Sequence, residues 1–292
     1  MIDYSKLYRM IPDKIYLELL FKRRLGKNLN LKNPTTFSEK IQWLKLYDRK
    51  PIYTKMVDKY ETKRYVADVI GEQYIVPTYG VWERFDDIDF NLLPNRFVLK
   101  CTHDSGGVVI VRDKDTTDIT RIRKIINEHL STNYFYARRE WPYKNVKRAI
   151  IAEELLGPDK NEDIIDYKFF CFHGDPTYCQ VICDRSTHET IDFYDMKWDL
   201  QEFTGLHRPI DHPYPHAQKK IEEPKTFELM KEYSAKLSGG IPFVRVDYYE
   251  IEGKLYFGEL TFYPASGFGE FYPNKWNDIL GDMIHTDRVG DI

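Results

Sequence analysis

No stretch of this 292-residue chain stays apolar for the roughly 20 residues that a membrane-spanning helix needs. Its start, MIDYSKLYRM, carries acids and polar residues where a secretory leader would be apolar. The expectation is a soluble protein that remains in the cytoplasm. Cysteine is scarce: four residues, at 101, 171, 179 and 183, with no Cys-x-x-Cys pair and each in or beside an apolar segment. That excludes the common zinc spacings and points to buried, reduced thiols. There is no internal repeat and no low-complexity tract, and with 42% hydrophobic and 30% charged residues the composition is that of a globular chain, neither disordered nor fibrous. The length suits one large domain or two to three smaller lobes.

Net charge is also small, −3, but it is unevenly spread. Residues 1–64 hold 16 Lys and Arg against 7 Asp and Glu, a surplus of +9, and the remainder holds 27 against 39, a deficit of −12. A basic segment of this kind is either a solvated helix face or a surface for anionic lipid or an acidic polymer.

Apolar residues recur at helical spacing from Lys6 to Tyr65 (Ile15, Leu19, Leu20; Ile41, Leu44, Tyr47), broken at Asn33-Pro34-Thr35-Thr36, with Ser38 as the expected cap. Another helix is expected from Val57 to Gly71, then a short strand at 74–76 before Pro77. RFVLKCTHDSGGVVIV (96–111) reads as two strands around a polar glycine loop, followed by a helix over 119–131. Strands are expected at 149–156, 166–172, 177–181 and 190–194, with the turn-rich GPDKNED (157–163) between the first two. HRPIDHPYPH (207–216), with three prolines, is expected as an exposed loop, and its histidines 207, 212 and 216 as lid or acceptor contacts or as bystanders. A helix at 227–237 precedes a closing hairpin, FVRVDYYEIEGKLYFGELTF.

Three constellations could carry chemistry. Lys100 lies on a strand just ahead of Ser105-Gly106-Gly107, where backbone amides could cradle phosphate oxygens and the lysine neutralise them. A Walker loop, Gly-x-x-x-x-Gly-Lys-Ser/Thr, is absent, and the glycines follow the lysine whereas in protein kinases they precede it. The alternative is a plain turn between strands with a surface lysine. In the hairpin, Arg245 and Asp247 share one strand face, and Phe257, Glu259 and Thr261 share a parity on the return strand. A two-residue turn at Glu252-Gly253 pairs 247 with 258 and separates the two acids. A three-residue loop shifts the register by one and sets Glu259 beside Asp247, where the pair would need a cation such as magnesium. The other reading is a salt-bridged edge hairpin. Between these, IIAEELL ends in paired acids, Glu153 and Glu154, and DYKFFCF alternates Asp166 and Lys168 with aromatics; a nucleotide base against them, or two buried strands, both fit.

Taken in order, VDKY, FVLKCTHDSGG, IIAEELL, DYKFFCF, FVRVD and GELTFYPASG resemble the ATP-grasp superfamily, and most closely its TupA-like family of bacterial polysaccharide and teichuronopeptide biosynthesis. The match runs from about 57 to 270 and extends into the N-terminal helices at FSEKIQWLK. The resemblance implies an α+β ATP-grasp fold, two lobes clasping ATP, with an N-terminal helical lobe over 1–75, a central lobe over 76–152 and a C-terminal lobe over 153–292. It implies ATP and Mg²⁺ as cofactors. Lys59 and Lys100 would bind the α- and β-phosphates under the Ser105–Gly107 loop. The Glu153 carbonyl and Leu156 amide would meet adenine, with Glu154 alongside, Asp166 near ribose, and Lys168 or Lys197 near phosphate. Asp247 and Glu259 would bridge magnesium, and Arg245 would stabilise transition-state charge. Thr261 stands where many relatives place an asparagine as third ligand.

The implied reaction joins a carboxylate to an amine through an acyl phosphate, with a uronic acid of a surface polysaccharide and an amino acid or amino sugar as substrates. Phosphotransfer to a glycan hydroxyl, glycosyl transfer and non-catalytic binding of an acidic glycan are the competing readings. No nucleic-acid partner is implied, whereas the basic N-terminal lobe suggests peripheral contact with a membrane or lipid-linked glycan. Neutralising Asp247 or Glu259 is expected to stop turnover and leave the fold intact.

Overall fold

The computed structural model describes residues 8–157, 163–207 and 214–286. In chain order the helices are α1 (Asp13–Leu25), α2 (Phe37–Tyr47), α3 (Ile52–Val57), α4 (Glu61–Ile70), α5 (Ile119–Leu130), α6 (Phe135–Arg138), α7 (Phe227–Ser238) and α8 (Lys275–Asp282). The strands are β1 (Thr78–Trp82), β2 (Phe97–Cys101), β3 (Val108–Val111), β4 (Ile150–Glu154), β5 (Asp166–Phe172), β6 (Asp175–Cys183), β7 (Thr190–Asp195), β8 (Thr204–His207), β9 (Phe243–Ile251), β10 (Lys254–Thr261) and β11 (Glu270–Tyr272). Among the described residues no helix is long and apolar enough to cross a membrane.

Two antiparallel sheets organise the molecule. The smaller has the order β1-β4-β2-β3 and the larger β10-β9-β5-β6-β7, with β8 and β11 forming a separate ribbon. β5 is central in the larger sheet and buried along its whole length, which its aromatic run DYKFFCF makes favourable. The smaller sheet packs Phe97, Leu99, Ile150 and Ala152 against Ile122 and Ile126 of α5. Asp118 starts α5 by accepting from the Arg121 amide at 3.1 Å.

The N-terminal helices do not form a lobe with a core of their own. Phe37, Ile41, Leu44, Tyr53, Met56 and Val66 belong to the core of the larger sheet, and Phe37 meets Phe243 and Phe271 edge-on at 5.0 and 5.3 Å. Only α1 packs separately, with Leu17, Phe21 and Leu25 against Phe268. The expected boundary at 152/153 falls inside β4, a strand that belongs entirely to the smaller sheet.

Other expectations shift for local reasons. The cap of α2 is Thr36, not Ser38: its hydroxyl accepts from the Glu39 amide at 3.3 Å, and Glu39 accepts from the Thr36 amide at 3.2 Å. That reciprocal pair satisfies two helix-end donors, and Ser38, inside the helix, donates to the Gly269 carbonyl instead. No strand forms at 74–76. Ile75 makes only an isolated bridge to Phe257, and β1 begins after Pro77, which has no N–H for a ladder but accepts from the Glu154 amide at 3.0 Å. Of GPDKNED, residues 158–162 lie outside the described residues. So do residues 208–213 of the proline-rich segment, with His212, while His207 ends β8 and His216 Nδ1 sits 2.6 Å from Asp192.

Lys45 of α2 is fully buried. Its ammonium donates to Gln42 Oε1 at 3.0 Å and to the carbonyls of Arg138 and Ser266 at 3.1 and 2.8 Å. Burial pulls its pKa down to about 7, with Glu140 opposing that fall. The folded chain therefore releases this proton near pH 7 and the unfolded chain keeps it until near 10.5. Because the unfolded state binds more protons in that window, Lys45 makes stability rise with pH across it. Urea unfolding of the wild type and Lys45→Met from pH 7 to 10 should show the wild type gaining relative to the variant; a constant difference would contradict this account.

Candidate active site

The closing hairpin turns in two residues. Glu252 and Gly253 both have positive φ, 54° and 76°, as a type I′ turn requires, and the ladder runs Lys254↔Ile251 to Phe257↔Tyr248. A bulge at Gly258 then restores the pairing the site needs: Glu259 stands opposite Asp247 and Thr261 opposite Arg245. The two acids thus share a face, but through a bulge and not through the three-residue loop that sequence reasoning required.

Between the two sheets lies a cavity of about 530 Å³. Lys59, Lys100, Ser105, Gly106, Glu153, Glu154, Leu156, Asp166, Lys168 and Glu259, all singled out from sequence, line it. Gly107 turns inward, where an added Cβ would lie 2.9 Å from Asp104 Oδ2. Lys197 is exposed and lies outside it. Val98, Val108, Ile110 and Phe257 give the cavity apolar walls. A second cavity, of about 630 Å³, adjoins the first, and the two share Ser105 and Glu259. Arg245 and Thr261 line this second one, along with Arg23, Arg24, Arg138 and Glu140. Sequence reasoning did not find it.

Charges around the first cavity are held in pairs. Glu153, buried, is 2.5 Å from Lys63 Nζ and 2.6 Å from Lys100 Nζ. Burial alone would raise its carboxyl, but Lys100 and Lys63 overcome this and hold it below the ordinary value. Lys63 was overlooked, although on the helix expected from Val57 it falls one turn after Lys59; in the structure Lys59 precedes α4 and Lys63 lies in its first turn. Asp166 pairs with Lys168 at 3.1 Å and with Arg185 at 2.8 Å. Asp247 is only 1% exposed. It accepts from Arg245 Nε and Nη2 at 2.7 and 2.6 Å and from Lys168 at 2.6 Å. Against the effect of burial, these two cations hold Asp247 below the usual range. Lys59 donates to the Asp104 carbonyl, and burial lowers its pKa against the pull of Glu259 and Asp104.

Among the described residues no group of three or more His, Cys, Asp or Glu is arranged to hold a metal. Magnesium carried by phosphates needs only one or two carboxylates. Glu259, about half exposed at the rim of both cavities, offers such a carboxylate, whereas Asp247, opposite it in the ladder, lines neither cavity and would join it only by sharing an oxygen that Arg245 or Lys168 now holds. The Thr261 hydroxyl is already shared, accepting from Arg245 at 3.2 Å and donating to Glu259 at 3.2 Å.

The profile of the family described as TupA-like ATPgrasp matches residues 39–285. Among solved structures, the chain is similar to a D-alanine–D-alanine ligase from Bacillus anthracis complexed with ATP, at 17% identity and TM-score 0.40, over 70% of this chain and 53% of that one. It is also similar to the Helicobacter pylori D-alanine–D-alanine ligase, at 14% identity and TM-score 0.45 over 85% and 68%. A third is the ATP-grasp ligase PsnB complexed with minimal precursor, Mg and ADP, at 12% identity and TM-score 0.41 over 77% and 57%. The chain spans about half the length of the first of these, 53%. No curated protein matches it.

Removing the Glu153 charge would leave Lys63 and Lys100 facing one another. Glu153→Gln should cost roughly 3 kcal/mol at neutral pH, as expected when one partner of a buried ion pair is lost. Because the folded carboxyl titrates below its ordinary 4.5, its contribution is present above that pH and lost as pH falls through and below it. Denaturant unfolding should show the gap between the two proteins narrowing as pH drops from 6 to 3; a gap undiminished at pH 3 would count against the pairing.

Proposed function

The chain belongs to the TupA-like ATP-grasp family, and on that premise we propose that it is an ATP-dependent carboxylate–amine ligase. One observation carries the reading: two cavities meet at Ser105 and Glu259, one lined by lysines and a glycine loop, the other by arginines. A nucleotide fits the first, with its base against Val98 and Ile110 near the Glu153 carbonyl, Glu154 and the Leu156 amide, and its ribose toward Asp166. Its triphosphate extends past Lys59, Lys100 and Lys168 beneath Ser105, Gly106 and Gly107. A carboxylate fits the second, beside Arg245.

At the shared rim the acceptor carboxylate oxygen attacks the γ-phosphorus, ADP leaves, and an acyl phosphate forms. An amine then attacks the carbonyl carbon, releasing phosphate and a proton and leaving an amide. Asp247 and Glu259 would hold magnesium, which neutralises phosphate charge when bound. Arg245, anchored by Asp247, faces the transferring group and stabilises the charge that develops there. Thr261 orients Arg245 and Glu259. No nucleophilic side chain is required, because positioning and electrostatics supply the catalysis.

The acceptor we favour is a uronic acid or similar carboxylate of a cell-surface polysaccharide, joined to an amino acid or amine in the cytoplasm. The exposed stripe Ile15, Leu19, Lys22 and Arg23 on α1, whose Arg23 also lines the second cavity, supports peripheral contact with a membrane or lipid-linked glycan. Because α2 to α4 are built into the larger sheet's core, the lobes we propose are the smaller sheet with α5, within residues 78–154, and the larger sheet together with α2 to α4.

Thermal shift against ATP with magnesium, other nucleotides and nucleotide sugars, then ADP release over a matrix of acids and amines, tests the function. ADP release that requires both an acid and an amine is expected. Release with an alcohol and no amine would select phosphotransfer, and stabilisation by nucleotide sugars over ATP would overturn the reading. Glu259→Gln should lower turnover at least about 100-fold, the scale of losing one preorganised charge contact, with melting unchanged. Asp247→Asn should lose turnover and also melt earlier, because Arg245 and Lys168 would lose their buried partner. Normal turnover in both variants would refute the metal assignment.

A further inference from the structure

The glycine loop is tied to the protein at one residue. Asp104 is 2% exposed, and all its acceptor atoms are in use. Its carbonyl accepts from Lys59 Nζ, its Oδ1 accepts from the Gly107 amide at 3.3 Å, and its Oδ2 contacts His129 Nδ1. Asp104 therefore joins the segment entering α4, its own loop and the last turn of α5.

His129 reaches this position through ordinary helix geometry. Ile122 and Ile126 are the buried residues of α5 beneath the smaller sheet. A residue three positions beyond Ile126 lies on the same side of the helix, which points the imidazole at the loop that leaves β2. The backbone of His129 contributes a second tie, since its carbonyl is 3.2 Å from Nε2 of His103, a residue 2% exposed. Gly106, at φ 133°, passes close to the ring, and a Cβ built there would lie 3.7 Å from its Cε1. The ion pair of its ring is with Asp104, and through Asp104 and the loop it reaches the proposed nucleotide cavity.

We infer that His129 is a positioning residue that fixes the Ser105–Gly107 loop over the triphosphate by holding the Asp104 carboxylate. The inference rests on the nucleotide reading of the first cavity. It assigns α5 a role beyond packing: the helix end sets the height of the loop, and the buried face of the helix sets the position of its end. A charge-assisted hydrogen bond between imidazole and a buried carboxylate is among the stronger polar contacts. Losing it frees the loop without opening the core, since the side chain of His129 is 34% exposed.

The test separates phosphate contacts from the rest of nucleotide binding. Affinities of the full chain for ATP with magnesium and for AMP are measured by calorimetry for the wild type, His129→Ala and His129→Asn. Asparagine can return a donor to the place of Nδ1. His129→Ala should weaken ATP about tenfold, the equivalent of one charged hydrogen bond, and leave AMP within about twofold. His129→Asn should recover most of the loss, and in turnover the alanine variant should raise the KM for ATP more than it lowers kcat. A packing role alone would lower melting and weaken ATP and AMP together. That outcome, or unchanged ATP affinity in His129→Ala, overturns the inference and leaves the nucleotide reading standing. A wild type that binds no ATP overturns both.

Discussion

Asp247 is buried with both oxygens committed to Arg245 and Lys168, and the arrangement of the larger sheet serves that contact. Three charges out of water are tolerable only when geometry keeps them together. Lys168 is the direct cross-strand partner of Asp247 between β5 and β9, and Arg245 lies two residues from Asp247 on the same side. A slip of one residue between these strands would send Lys168 to the opposite face and leave the acid without one of its cations. The charge cluster therefore specifies register in a strand whose aromatic residues alone would accept either face. The same cluster fixes Arg245 at the wall of the second cavity.

A similar constraint joins the smaller sheet to the helices. Glu153 of β4 is buried between Lys100 of β2 and Lys63 of α4, so the helix that carries Lys63 must sit against that sheet. That helix is in turn held by Val66 and Ile70 in the core of the larger sheet. Both sheets thus reach the cleft through α4, which explains why α2 to α4 have no separate core.

What could be read from the sequence was whatever depended on neighbours along the chain. The two strands around THDSGG, the helix over 119–131 and the buried strand DYKFFCF follow from periodicity and glycine placement, and the structure has β2, β3, α5 and β5 there. The order of motifs gave the family, since each motif is local and their succession is a property of the chain. The hairpin register was not legible, because turn length was read as its sole determinant and Gly258 gave no reason to expect an extra residue in the ladder. The second cavity was not legible either: Arg23, Arg138 and Arg245 come from α1, α6 and β9, and no spacing relates them. Thr36 was legible, since a glutamate three residues on is the mark of a capping box, and Glu39 stands there.

The pairing of cations with carboxylates throughout the cleft bears on how a polyanion would enter it. On the proposed reading, Lys100 and Lys168 each hold an acid that a triphosphate must compete with or share. Competition has a benefit: lysines already positioned by Glu153 and Asp247 need little reordering when phosphate arrives, so their side-chain entropy is spent in folding and not in binding. It also has a cost, because phosphate brought beside Asp247 and Glu259 adds negative charge where two carboxylates already face each other. Arg245 cannot offset that alone, being bound to Asp247 in two places and 3.5 Å from Glu259. A site built this way favours a nucleotide that arrives with its own divalent cation, and it places the need for that cation at Glu259, which is about half exposed and meets Arg245 only at 3.5 Å.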